Sequence, residues 1–230
     1  MERWQYPSFE SHIDPSHVAL VVVDMQNISV NPAYGSTKLL VQRAPEVAVP
    51  YLNRLKQTII PNIRMLLAFF REHGLPVVYL TIGSEREDGK DLTPRFQRRI
   101  LQMLAIAGVR TVAVRGTIEH QIIDELLPRP GELVINKTSY SAFNSTSIDQ
   151  TLRNMGVTGL IFAGVGTSVC VEGTARDASD RGYSCILVED ACTSFDQPAH
   201  EATMRLFARA YGDVRTTKQV ISDLARGLGA

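Results

Sequence analysis

The chain has no surplus of charge of either sign. Its 24 Lys plus Arg balance 24 Asp plus Glu, so it offers no electrostatic footprint for a polyanion, and nucleic acid is not an expected partner. Long apolar runs are also missing: nothing approaches the roughly eighteen consecutive residues of a membrane span, so no membrane partner is expected. The N-terminal stretch Met1 to Pro7 does not lead from a basic segment into an apolar one, so no secretory leader is read there and a soluble, cytoplasmic protein is the expectation. Cysteines are few and odd in number: Cys170, Cys185 and Cys192 argue against a disulfide framework and for reduced thiols. The histidines (His12, His17, His73, His120, His200) are scattered, with none of the close spacing of a metal site, so neither metal nor other cofactor is expected. Compositional breaks, repeats and linkers are absent as well, and with 44% hydrophobic residues the 230-residue chain reads as a single domain over 1–230.

What is present is a regular alternation of strand and helix patterns. Val18 to Val23 is an unbroken apolar run ending at Asp24, the mark of a strand buried on both faces of a parallel sheet. Further strands are read at Pro76 to Ile82, Thr111 to Val114, Leu133 to Ile135, Leu160 to Val165 and Cys185 to Val188. Helices are read at Leu52 to Glu72, Arg95 to Ala107, Ile118 to Leu127, Ser147 to Met155, Ser168 to Arg181 and Pro198 to Tyr211. The stretch Asn27 to Pro50, with its prolines and Gly35, reads as a long loop bordering the site, and Gly83 to Pro94 as a second, charged loop. The pattern predicts an α/β fold, a three-layer α/β/α sandwich with a mostly parallel, Rossmann-like sheet, which binds ligands at the carboxyl ends of its strands.

Three groups fall at that edge: Asp24 after VALVVV, Lys137 after ELVIN and Cys170 in the strand-to-helix turn GVGTSVC. A thiol at a helix start feels its positive end, which favours the thiolate, and the free N–H groups of the turn suit an oxyanion. Taken alone, Cys170 is equally read as a small buried hydrophobe, Asp24 as an ordinary strand end and Lys137 as a surface lysine. Each gains weight from the others. Cys185 and Cys192 carry no motif and receive no role.

The blocks VALVVVDMQN, VINKTSYSAF and LIFAGVGTSVCVEGTARDA, in that order, resemble the three motif blocks of the isochorismatase-like hydrolases over residues 18–192. The resemblance implies a catalytic triad of Asp24, Lys137 and Cys170. It also implies oxyanion donors from the N–H groups of Gly166 and Cys170 and a cis peptide at Val165–Gly166. Many relatives carry Ala where this chain has Gly166. Within the family the sequence is nearest to enzymes acting on biuret, ureidoacrylate and N-carbamoylsarcosine, which implies cysteine-dependent cleavage of a small amide, ureide or carbamoyl compound. The segment TIGSEREDGKDLTPRF has no histidine where metal-dependent relatives place theirs, so metal: none.

Substrate contacts are expected from Gln26, Asn27, Tyr34, Tyr140, Phe143 and Glu172, each with a plainer reading. The polar residues can stabilise turns, the aromatics can be core, and Glu172 can complement the helix dipole. Arg86, Lys90 and Arg95 are candidates for binding a carboxylate or are simply solvated. Isochorismate cleavage, a vinyl-ether hydrolysis, and a non-catalytic relative stand as the competing readings. Association into a homodimer or tetramer is expected from the family.

Overall fold

The apolar runs pair into one sheet because each is too hydrophobic on both sides to face water. In a computed structural model describing residues 13–229, the strands are β1 (Val18–Val23), β2 (Val77–Ser84), β3 (Ala113–Val114), β4 (Leu133–Lys137), β5 (Gly159–Val165), β6 (Ser184–Thr193) and β7 (Asp213–Arg215). Their order is β3-β2-β1-β5-β6-β7. The outer edge of β2 is shared, β4 pairing Val78 to Ile82 and β3 pairing Gly83 and Ser84. Every strand pairing in the sheet is parallel. Strands β1, β2 and β5 are buried along their whole length, which is why they lack an in–out alternation.

Helices close both faces. On one, α5 (Pro94–Ala107), α6 (Ile148–Asn154), α7 (Glu172–Asp180) and α8 (Gln197–Ala210) set Phe96, Ile100, Leu152, Ala175 and Phe207 against Val21, Leu80 and Phe162. On the other, α3 (Pro45–Arg54), α4 (Ile60–Glu72) and α9 (Thr217–Leu228) set Tyr51, Ile63, Phe70, Val220 and Leu224 against Leu20, Val22 and Ile161. Each fully buried Leu, Ile or Phe contributes about 1.5–3 kcal/mol over its exposed state, so the two clusters supply the driving force for the sandwich. The three-layer architecture is the one expected. Among the described residues no helix is long and apolar enough to cross a membrane.

The chain leaves β1 toward β2 on one side, and β5 lies against β1 on the other. The reversal opens a crevice at the carboxyl ends of β1 and β5, the place where such sheets take ligands.

Several local readings differ from the structure. The expected loop at 27–50 is helical: α1 (Asn27–Val30), α2 (Gly35–Arg43) and α3. Its punctuating residues mark starts instead of coil, for Gly35 opens α2 and Pro45 is the first residue of α3, a position where the missing N–H costs nothing. The expected helix from Leu52 to Glu72 begins earlier, at Pro45, and is interrupted by a π-turn at Leu55–Ile59 just before Pro61. Proline cannot donate four residues back and its ring crowds that carbonyl, and the wider turn accommodates both. The expected helix at Ile118 to Leu127 shrinks to a 3-10 turn at Asp124–Leu126. Its backbone is engaged elsewhere: Asn27 and Ile28 donate to Gln121 and Glu119, Ile123 donates to Met25, and Gln26 bridges Ile122. Tertiary pairing outweighs local propensity there. Strand β7 and helix α9 were not foreseen, although Thr216 and Gln219 form a capping box that announces α9.

One glycine is demanded by the crevice. Gly164 has φ +127, and a Cβ there would stand 2.1 Å from the Val23 carbonyl oxygen, whereas one on Gly166 would meet nothing within 4 Å. Gly164→Ala should therefore cost about 3 kcal/mol or more and Gly166→Ala less than about 1 kcal/mol. Urea midpoints measure the difference; equal midpoints would remove the close approach as its cause.

Candidate active site

β1 ends by turning sharply. Asp24, directly after Val23, is the one non-glycine with positive φ (52) among the described residues, a conformation that Asp tolerates better than a branched residue would. Its N–H donates to Leu80 O at 2.9 Å and its carbonyl accepts from Gln26 N–H at 2.8 Å, so the turn is held by backbone bonds. Lys137 closes β4, and its Nζ donates to Asp24 Oδ2 at 2.9 Å with the side chains 0% and 4% exposed. Burial by itself would depress the Lys137 ammonium, but the Asp24 carboxylate and the neighbouring Cys170 outweigh it and hold the group above its ordinary value. Asp24 Oδ1 is buried with no hydrogen-bond partner.

Cys170 lies on the π-turn Thr167–Val171 that joins β5 to α7, and is 7% exposed. A π-turn is rare and often marks a functional site. Val169 and Val171 N–H both donate to Gly166 O, at 3.0 and 3.3 Å, and the Cys170 N–H between them does not. The thiol sits against both Asp24 and Lys137. Its acidity runs opposite to the expectation from a helix start: burial first, and the Asp24 carboxylate second, push the thiol up, with Lys137 pulling weakly the other way. The physical reason is that the residue stands inside the turn, not at its first exposed N–H, so desolvation of a thiolate dominates. The cis peptide expected at Val165–Gly166 is not found: among the described residues every peptide bond is trans, and Gly166 takes φ −56 and ψ 114 without it. Trans is the lower-energy form for a non-proline bond.

The expected substrate contacts divide. Gln26 is fully buried and its amide is spent on backbone: Oε1 accepts from Ile82 N–H (2.8 Å), and Nε2 donates to His120 O (2.8 Å) and Ile82 O (3.3 Å). It braces the ends of β1 and β2, and has one lone pair left. Asn27 Nδ2 donates to Ile118 O at 2.8 Å, and its Oδ1 accepts from Asn31 at 3.1 Å. Glu172 is tied between Arg176 and the Thr203 hydroxyl, the latter at 2.9 Å, and so links α7 to α8. Phe143 packs beneath Arg181 and beside Tyr183, at the far end of α7 from Cys170, which makes it core. Tyr140 stacks edge-on against Phe96 at 4.6 Å, close to α7 and half-buried. Tyr34 precedes α2 and is half-buried. In the charged loop, Arg86 and Lys90 both pair with Asp88, and Arg95 is exposed.

The histidines go separate ways. His17 pairs with Asp14, His73 Nδ1–H donates to Phe69 O, and His120 Nε2 meets Asn136 Oδ1 at 2.8 Å; His12 lies outside the described residues. His200, given no role from sequence, is buried and bonds the Thr167 hydroxyl at 2.9 Å, on the same turn as Cys170. Only its packing partner could have revealed it, because α8 is far from that turn in the chain.

The isochorismatase domain family matches residues 18–219. Ureidoacrylate amidohydrolase RutB of Enterobacter sp. (strain 638) is 34% identical over 188 residues, 77% of this chain and 75% of that protein. Among solved structures, a cysteine hydrolase from Pseudomonas syringae pv. phaseolicola 1448A aligns at TM-score 0.77 and 26% identity over 99% of this chain and 100% of that one. N-carbamoylsarcosine amidase from Thermoplasma acidophilum aligns at TM-score 0.62 and 29% identity, over 87% and 96%. With its sheet, its buried Asp24–Lys137 pair and its turn cysteine in place, the chain belongs to the isochorismatase family.

Proposed function

We propose that Asp24, Lys137 and Cys170 act together to hydrolyse a carbon–nitrogen bond of a small ureide, carbamoyl compound or amide, through an acyl-thioester on Cys170. The chain is a hydrolase of non-peptide carbon–nitrogen bonds by family and by its amidohydrolase relatives. One observation carries the finer reading: Oδ2 of Asp24 is occupied by Lys137 and Oδ1 is buried with no hydrogen-bond partner, while the Cys170 thiol lies against the same carboxylate. That oxygen is the group available to take the thiol proton.

In this reading the Cys170 proton passes to Asp24 Oδ1 as the sulfur attacks the substrate carbonyl, forming the C–S bond and a tetrahedral oxyanion. The Gly166 and Cys170 N–H groups receive the oxyanion. Collapse breaks the C–N bond, and Asp24 returns its proton to the leaving nitrogen, which departs as ammonia or an amine. Water, deprotonated by Asp24, then attacks the thioester, and the thiol takes back a proton as the acid leaves. Lys137 stays an ammonium throughout and steadies the carboxylate and the developing thiolate in turn. No metal has a part in these steps.

Chelator-treated protein should release ammonia from at least one member of a panel of ureides, carbamoyl compounds and small amides. Cys170→Ala should lower kcat by at least about a thousandfold with the fold retained. Turnover of isochorismate in place of the panel, or activity surviving in Cys170→Ala, would overturn the reading.

Lys137→Met should also unfold at markedly lower urea, by about 3–5 kcal/mol, because it strands a buried carboxylate, and Asp24→Asn in the same chain should restore much of the loss. Since Lys137 titrates above its ordinary 10.5, its contribution is complete below that pH and is lost as pH rises past it. Unfolding curves at pH 7 and above 10 measure this; a single mutant as stable as the double would discount the pair.

A further inference from the structure

Cys170 is held by a turn of backbone whose own bonds run from the Val169 and Val171 N–H groups to Gly166 O and from the Thr174 hydroxyl to Cys170 O. Two side chains of α8 reach it. Upstream of Cys170, the Thr167 hydroxyl bonds His200 Nδ1 at 2.9 Å, and both residues are buried. Downstream, the Thr203 hydroxyl donates to Glu172 Oε2 at 2.9 Å. His200 and Thr203 are one helical turn apart on one face of α8, and Thr167 and Glu172 flank the nucleophile. The start of α8 is itself fixed, because the Asp196 side chain accepts from Ala199 N–H at 3.0 Å and its carbonyl accepts from His200 N–H.

We propose that α8 clamps the nucleophile turn on both sides, and that His200 is a positioning residue whose Nδ1 accepts the Thr167 hydroxyl proton and so fixes the Gly166–Cys170 segment in its reactive shape. The direction of the bond follows from what each atom can find. Among the described residues the Thr167 hydroxyl has no other partner, so donating to Nδ1 satisfies it. His200 also lines a cavity of about 390 Å³ together with Arg54, Glu189, Asp190, Glu201 and Arg205. Burial, with Arg54 adding to it, lowers His200 against a weaker upward pull from Glu201, which favours the neutral ring, the form in which Nδ1 is able to accept. The inference rests on Cys170 being the nucleophile, but the clamp itself does not.

His200→Phe keeps the volume and removes the acceptor, His200→Asn restores an acceptor near the Nδ1 position, and Thr167→Val removes the donor. His200→Phe should lower kcat by about tenfold or more with KM within about twofold, since small displacements of reacting groups are costly. His200→Asn should recover most of that loss. Thr167→Val should match His200→Phe, and the double mutant should be no worse than either. Hydrogen exchange of peptides covering 165–172 supplies a readout that needs no substrate: it should quicken in His200→Phe and return toward the parent rate in His200→Asn. Unchanged exchange and kcat in His200→Phe, or equal impairment in the Phe and Asn variants, would overturn the clamp. Quickened exchange in a protein inactive on the whole panel would keep the clamp and reject the amidase reading.

Discussion

The structure is organised around a buried ion pair that neither partner could sustain alone. Asp24 and Lys137 are almost wholly inside, and an isolated charge there would cost several kcal/mol even after relaxation. Their mutual attraction at 2.9 Å offsets that cost only if both chain ends are placed accurately. The sheet does the placing. β1 and β4 are not neighbours but lie on either side of β2, about 10 Å apart at the usual strand spacing. A long side chain must therefore cross over the end of β2, and lysine has that length. The strained turn at Asp24 brings the carboxylate to meet it, and the amide of Gln26 locks that turn to β2.

Much of this was legible in the sequence because parallel strands buried on both faces leave an unmistakable record. VALVVV and LIFAGV read as strands without ambiguity, and the polar residue that ends each run falls at the crevice by topology alone. Asp24 and Lys137 were read in this way and Cys170 from the strand-to-helix turn, their grouping as a triad was implied by the family resemblance, and the structure brings the three together. Short-range patterns misled where a segment's backbone is engaged by a distant one. Ile118 to Leu127 has a helical arrangement of apolar residues, yet its amides and carbonyls pair with the chain after β1. Prolines misled in the opposite sense, since Pro45 and Pro50, read as part of a loop, lie in α3 at its first residue and in its interior. The polar residues nearest the motifs, Gln26 and Glu172, were read either as ligand contacts or as structural groups, and both are engaged by protein groups. Sequence shows that a side chain is polar but not which protein group will consume its hydrogen bonds.

The acidity of Cys170 is where two sound principles compete and magnitude decides. Proximity to a helix start favours a thiolate by a fraction of a kcal/mol to about 2 kcal/mol, whereas desolvation of a fully buried thiolate costs more. Burial outweighs the helix start here and favours the thiol form of Cys170. The proposed reaction accommodates this. In the resting arrangement the three groups are carboxylate, ammonium and thiol, with a net charge of zero. After the proposed transfer to Asp24 they would be carboxylic acid, ammonium and thiolate, again zero. The proton moves between two atoms that share one cation, so the transfer relocates a negative charge within the reach of Lys137 and creates none in the apolar interior. A freely ionising cysteine would hold its charge at all times and pay the desolvation cost at rest. In the proposed reaction the cost would arise only as the sulfur attacks, when the charge is already passing to the substrate oxygen. The upward push of burial on the thiol and the unpartnered carboxylate oxygen would then serve one end in the proposed reaction, activation deferred until a carbonyl is in place.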